Sequence, residues 1–310
     1  MELSEGLSWP APAGEPAAPP HARDALAFID LARLGRTDWW SGLKGFFKII
    51  GWQLLAGVPL GVAFILLGPR LPEDWRDVAI LAAAALAWFI GLGGAVRRSQ
   101  GRPMMSLIAA DLRLRPGRIA LGAALWLVAT LLVAAASLPL EAASASAALA
   151  NVAHRVAWPA DRSVVAAALL SIALFPLQAA GEEMAFRGWL TQTLGQFVRR
   201  PWLIALGVGI AFALAHGFLH GPYAFPYYVI MSLGLSALTL LDQRLELAIG
   251  VHAANNIAVV SAMLFLSGGS PPSSLLFNAV QATWMSCIYV LLVFAVIYAM
   301  GRWLVRRAAT

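Results

Sequence analysis

Eight stretches of this chain are apolar for long enough, or nearly so, to cross the roughly 30 Å hydrocarbon core of a bilayer as helices. They run over about 46–67, 78–96, 119–140, 163–194, 202–219, 225–241, 245–266 and 276–304. Hydrocarbon offers no partner to a backbone N–H or C=O, so a single run can cross it only as a helix that bonds to itself. The chain is therefore expected to be all-α, a polytopic membrane helical bundle with about eight transmembrane helices. The fourth and eighth runs are longer than a span requires, so they tilt or project into water.

The 310 residues are 60% hydrophobic and only 12% charged, with a mean hydropathy of +0.74, which sets the chain apart from soluble domains. The net charge of +6 would suit nucleic acid if the basic side chains formed a stripe. They lie instead at the ends of apolar runs, where orientation in the lipid bilayer accounts for them, and no nucleic-acid partner is expected. Of the 22 Lys and Arg, 17 fall in segments on one side and only Arg70, Arg76, Arg155 and Arg162 in loops on the other, while Arg187 lies inside the fourth run. The positive-inside rule then predicts a multi-pass protein of the cell (inner) membrane with both termini cytoplasmic. Cys287 is the single cysteine, so neither an intrachain disulfide nor a cysteine metal cluster is available.

Residues 1–23, rich in Pro, Ala and Gly and beginning with Glu2 and Glu5, are expected to be a disordered cytoplasmic tail. Residues 24–45 have helical apolar spacing through Leu26, Phe28, Ile29, Leu31 and Leu34, then Trp39 and Trp40, and read as an interfacial amphipathic segment. Residues 46–310 form the transmembrane bundle. Within it, 103–118 mixes Met104, Met105, Leu107 and Ile108 with arginines and is expected on the inner surface. No internal repeat of convincing period and no glycine-rich phosphate loop is found.

Charges inside apolar runs are costly, about 2.5 to 3.5 kcal/mol each at a helix centre on an insertion scale. Glu182, Glu183 and Arg187 are three of them in six residues. On a helix Glu183 and Arg187 stand one turn apart and can pair, whereas Glu182 is rotated by about 100° and stays free for chemistry. Two further polar sites interrupt apolar helices, Phe212-Ala-Leu-Ala-His216 and His252-Ala-Ala-Asn255-Asn256. A lone membrane histidine is often a hydrogen-bonded packing residue. His252 and Asn256, however, share a helix face, as groups converging on one point must, and Asn255 points elsewhere.

These three segments resemble, in order and on separate helices, the EExxxR, FxxxH and HxxxN motifs of the CPBP family, the type II CAAX prenyl endopeptidases and bacteriocin-processing intramembrane proteases. The resemblance covers a core of about 163–266. It implies an endopeptidase, commonly called a metalloprotease, that hydrolyses a peptide bond in a membrane-associated or lipidated, CAAX-like protein or a leader peptide. Carried over, it implies that Glu182 and His216 activate water while His252 and Asn256 stabilise the oxyanion or help hold a metal. Glu183 and Arg187 would brace the site, with Phe212 packed beneath His216. His220 makes an HxxxH pair with His216 but lies at the outer end of its helix.

Peptide hydrolysis needs a base beside the water and donors at the developing oxyanion. There is no HExxH pattern, yet Glu182, His216 and His252 could supply three zinc ligands and leave one position for water. The neutral amide of Asn256 is a poor zinc ligand and a good oxyanion donor, which favours a glutamate-activated water with zinc optional. Intramembrane Glu, His and Arg also mark ion paths, so a transporter or channel is the alternative, together with an inactive member of the same fold. Transporters more often show repeats or paired Gly/Pro breaks, and here the polar residues gather in one third of the chain.

Overall fold

The computed structural model describes residues 27–67, 73–137, 162–217, 221–265 and 282–308. The expected tail at 1–23 and His220 lie outside the described residues. Among these residues there is no strand, and the described part of each apolar run is largely helical.

A short helix α1 (Ala27–Asp30) runs into a 3₁₀ turn, Leu31–Leu34. It is followed by α2 (Trp39–Leu67), α3 (Glu73–Gly93), α4 (Pro116–Ser137), α5 (Arg162–Glu183), α6 (Pro201–His216), α7 (Ala224–Asp242), α8 (Glu246–Phe265) and α9 (Trp284–Ala308). The α3 helix continues through a π-helical stretch, Gly94–Gln100, and α5 through another, Met184–Leu190, before a last turn at Thr191–Leu194. Local chemistry sets several ends. Asp38 caps α2 by accepting the Ser41 N–H at 2.9 Å, and α4 and α6 each begin at a proline, where a missing N–H costs nothing. Gly101, at φ 72°, closes the π stretch after α3 in the left-handed region that suits glycine.

Six described spans are long and apolar enough to cross a membrane: Trp39–Ala63, Trp75–Gln100, Pro116–Ala136, Arg162–Leu194, Ala224–Asp242 and Trp284–Trp303. The fifth run is a shorter apolar helix, Pro201–His216, and α8 lies outside those six. Leu54, Leu55, Val58, Leu131, Leu169 and Leu214 are exposed on the outside of the bundle, where lipid rather than water suits them. Several apolar helices of this kind make the chain a multi-pass membrane protein.

Between helices in lipid there is little hydrophobic drive, so close packing holds the bundle together, and small residues permit it. A Cβ on Gly250 would run into the Ile119 carbonyl oxygen, and one on Gly122 into that of Leu247, so α8 and α4 touch backbone to backbone. A Cβ on Gly181 would stand 2.7 Å from the Trp88 Cβ, so α5 lies tight on α3 one residue before Glu182.

One end of the bundle is closed by residues that hydropathy places at an interface. Phe28, Ile29, Leu31 and Ala32 are buried in the protein. So are Leu107, Ile108 and Ala109, which pack with Met184, Trp189 and Leu245. The Leu245 N–H donates to the Ile108 carbonyl at 3.0 Å, and Ala109 forms an isolated antiparallel bridge with Arg244. Arg102 is buried among neutral partners, donating to the Leu31 carbonyl, Ser106 Oγ, Gln100 Oε1 and Gln192 Oε1. Burial pushes its guanidinium down to about 10. Gln192 in turn donates to the Ser106 carbonyl at 2.9 Å. The 101–115 segment thereby ties the end of α5 to the start of α8, two of the three helices that carry the polar motifs.

Candidate active site

Adjacent glutamates on α5 face different partners, as their rotation about the helix requires. Glu183 is fully buried, and its Oε1 accepts from Arg187 Nη1 at 2.8 Å and from His252 Nδ1 at 2.7 Å. Arg187, also fully buried, lays its guanidinium 4.4 Å from the centre of the Phe212 ring. The charge is thus met by a carboxylate at one edge and an aromatic face below. Burying such ions is expensive, and only several simultaneous contacts offset the desolvation.

The His252 Nδ1 bond to a carboxylate makes Nδ1 the donor, so in the neutral imidazole the lone pair is on Nε2. That Nε2 stands 3.7 Å from Glu182 Oε2, a buried oxygen with no hydrogen-bond partner among the described residues. The other Glu182 oxygen, Oε1, accepts from Gln178 Nε2. Gln178 Oε1 accepts from Asn256 Nδ2 at 3.2 Å, so α5 and α8 are linked a second time. Asn255, expected to point elsewhere, lies with its Nδ2 3.4 Å from Asn256 Oδ1.

His216 ends α6, and its Nδ1 bonds to the Phe212 carbonyl at 2.8 Å, so this ring too keeps Nε2 as its free nitrogen. Its ring centre lies 4.3 Å from that of Phe212 and 4.4 Å from that of Tyr228, and those two rings meet edge to face at 6.1 Å. Phe212 also lies 6.0 Å from the His252 ring. One phenylalanine therefore packs against Arg187 and both histidines.

Helix rise explains why residues far apart along their runs share one depth. Glu182 lies twelve residues before Leu194, across the π-helical stretch, and His216 fifteen residues, about 22 Å, after Pro201, where the next helix begins. His252 is only six residues into α8, but that helix starts inside the bundle, with Leu245 and Glu246 buried behind the 101–115 segment.

Sequence reasoning missed Gln178, the Arg187–Phe212 stack and Tyr228. Gln178 carries a local signal, a polar residue one turn before Glu182 in an apolar helix. The other two depend on which helices are neighbours. Among the described residues no three His, Cys, Asp or Glu side chains are grouped to hold a metal ion. Glu182 and His252 would supply two zinc ligands, but His216 does not complete the set, so these residues as arranged do not fit a three-ligand zinc site.

Residues 164–258 match the family model described as type II CAAX prenyl endopeptidase Rce1-like. This span contains all three polar motifs. An uncharacterized protein, YyaK of Bacillus subtilis (strain 168), is 25% identical over 243 residues, 72% of this chain and 77% of that one. No solved structure matches.

Proposed function

We propose that this chain, Rce1-like over 164–258, is an intramembrane endopeptidase that hydrolyses a peptide bond of a membrane-associated or lipidated, CAAX-like protein or of a leader peptide. One observation carries the reading: Glu182 Oε2, a buried carboxylate oxygen without a hydrogen-bond partner among the described residues, faces the Nε2 of His252 at 3.7 Å. Two acceptors at that distance repel unless a donor lies between them. A water that gives one hydrogen to each satisfies both and keeps a lone pair for attack.

The water oxygen bonds to the scissile carbonyl carbon as one proton passes to Glu182, and the carbonyl electrons move onto its oxygen. The second N–H of the Asn256 amide is a donor for that oxyanion, and the dry surroundings strengthen the bond. The proton on Glu182 then passes to the leaving nitrogen, the carbon–nitrogen bond breaks, and a carboxylic acid and an amine leave. His252 is held for this role by Glu183, which is itself held by Arg187. His216 Nε2 remains an acceptor for an N–H of the substrate backbone.

The partners in this reading are the bilayer and a protein or peptide substrate. The basic residues support a cell-membrane protein with both termini cytoplasmic. Trapping tests the reading: the Glu182→Gln protein is purified from cells, and what co-purifies is identified by mass spectrometry. Peptides enriched on the variant should be cut at one bond by the wild-type protein. If none of them is cut, the endopeptidase reading fails.

A further inference from the structure

We infer that Gln178 is a positioning residue of this site, one that fixes the Glu182 carboxylate and the Asn256 amide relative to each other; the inference rests on the hydrolase reading. Gln178 lies on α5 one turn before Glu182, in none of the three motifs. Its Nε2 donates to Glu182 Oε1 and its Oε1 accepts from Asn256 Nδ2 at 3.2 Å. Only a side chain with a donor and an acceptor at its tip can do both. An ionised glutamate would offer acceptors alone and an apolar side chain neither.

The bond has a directional consequence. With Oε1 engaged by Gln178, the oxygen left for proton transfer is Oε2, the one facing His252. A second consequence falls on Asn256. Its Oδ1 is approached by Asn255 Nδ2 and one of its amide hydrogens is taken by Gln178, so a single N–H remains for an oxyanion. The Gln178–Asn256 and Glu183–His252 bonds join α5 to α8 at two points one helical turn apart on α8, which opposes rotation of either helix about its axis.

A cross-helix hydrogen bond in lipid contributes little to stability, because the separated helices find other partners. Placement of the reacting groups is far more sensitive, a shift of about 1 Å costing up to about a hundredfold in rate. A positioning role and a purely structural one therefore give different results.

The test uses full-length wild type, Gln178→Met and Gln178→His in detergent with a synthetic farnesylated CAAX peptide and with the peptides captured on Glu182→Gln. Methionine keeps the length and removes both hydrogen bonds, whereas histidine restores one donor and one acceptor. Gln178→Met should lower kcat by about ten- to a hundredfold with KM within about twofold and an unchanged unfolding temperature, and Gln178→His should recover part of the loss. In carbon-13 glutamate infrared difference spectra against Glu182→Gln, the Glu182 carboxylate stretch should move in Gln178→Met and return toward its wild-type position in Gln178→His. An unmoved band, an unchanged kcat, or a loss of activity matched by a loss of folded protein in both variants overturns the assignment. A wild type that cuts no peptide sinks the hydrolase reading instead, and the infrared arm still decides whether Gln178 holds Glu182.

Discussion

His252 donates from Nδ1 to Glu183 Oε1 at 2.7 Å, a bond between residues 69 positions apart that makes the second glutamate, rather than the first, the holder of the imidazole. Because Arg187 uses the same oxygen at 2.8 Å, neutralising Glu183 strands two partners at once. Breaking one member out of a buried ion pair costs about 3 to 5 kcal/mol. Glu183→Gln should therefore lower the unfolding temperature and the yield as well as activity, measured by thermal unfolding in detergent, whereas Glu182→Gln should leave both near wild type. A Glu183→Gln protein that folds normally but is dead in catalysis would reverse the two roles.

Packing of α8 on α4 should be equally sensitive. At Gly250 an added methyl meets the Ile119 backbone, which cannot move aside as a flexible side chain could. Gly250→Ala should destabilise by about 1 to 3 kcal/mol, the usual penalty for overpacking, and should reduce activity by shifting His252. Alanine at Gly57, which has open space around it, is the control and should change neither.

Metal dependence divides the two chemical routes. A bound zinc lowers the pKa of its water to about 7, so a zinc route needs no separate base. With no third ligand grouped with Glu182 and His252 among the described residues, the glutamate route predicts activity that survives exhaustive chelation, and metal analysis of active protein should find less than one equivalent. One equivalent of zinc, with activity lost on removal and restored on return, contradicts it.

Topology is open to a simple check. With Cys287→Ser as background, single cysteines placed at Ser4 and at Thr310 should escape an impermeant thiol reagent in intact cells and react after lysis. Labelling of either in intact cells overturns the cytoplasmic placement of that terminus.

How much could be read in advance follows the range of each interaction. The helices are legible because an apolar run of this length has one way to cross a bilayer, and the Glu183–Arg187 bond because a spacing of four brings side chains together on one helix. The bond from His252 to Glu183 has no local trace, since it depends on α8 lying beside α5. The packing of α8 on α4 is hidden in the same way, because the role of Gly250 is visible only once the Ile119 backbone is found against it. The 103–118 segment carries contacts that its composition does not show. Its interspersed arginines suggest an inner-surface position, and within it Leu107 and Ile108 are in the core, next to a buried Arg102 held by backbone, Gln and Ser partners. Gln178 falls under the same spacing rule, as a polar side chain one turn before Glu182.

The central claim is that Glu182 activates water for peptide hydrolysis while Glu183 and Arg187 hold His252. The direct measurement incubates purified wild type and Glu182→Gln, matched in amount and unfolding temperature, with the trapped peptides in water enriched in oxygen-18, and weighs the products. Wild type should release two fragments at one bond, with one oxygen-18 in the new carboxyl group, and Glu182→Gln should release none. Cleavage by Glu182→Gln at the wild-type rate would contradict the account.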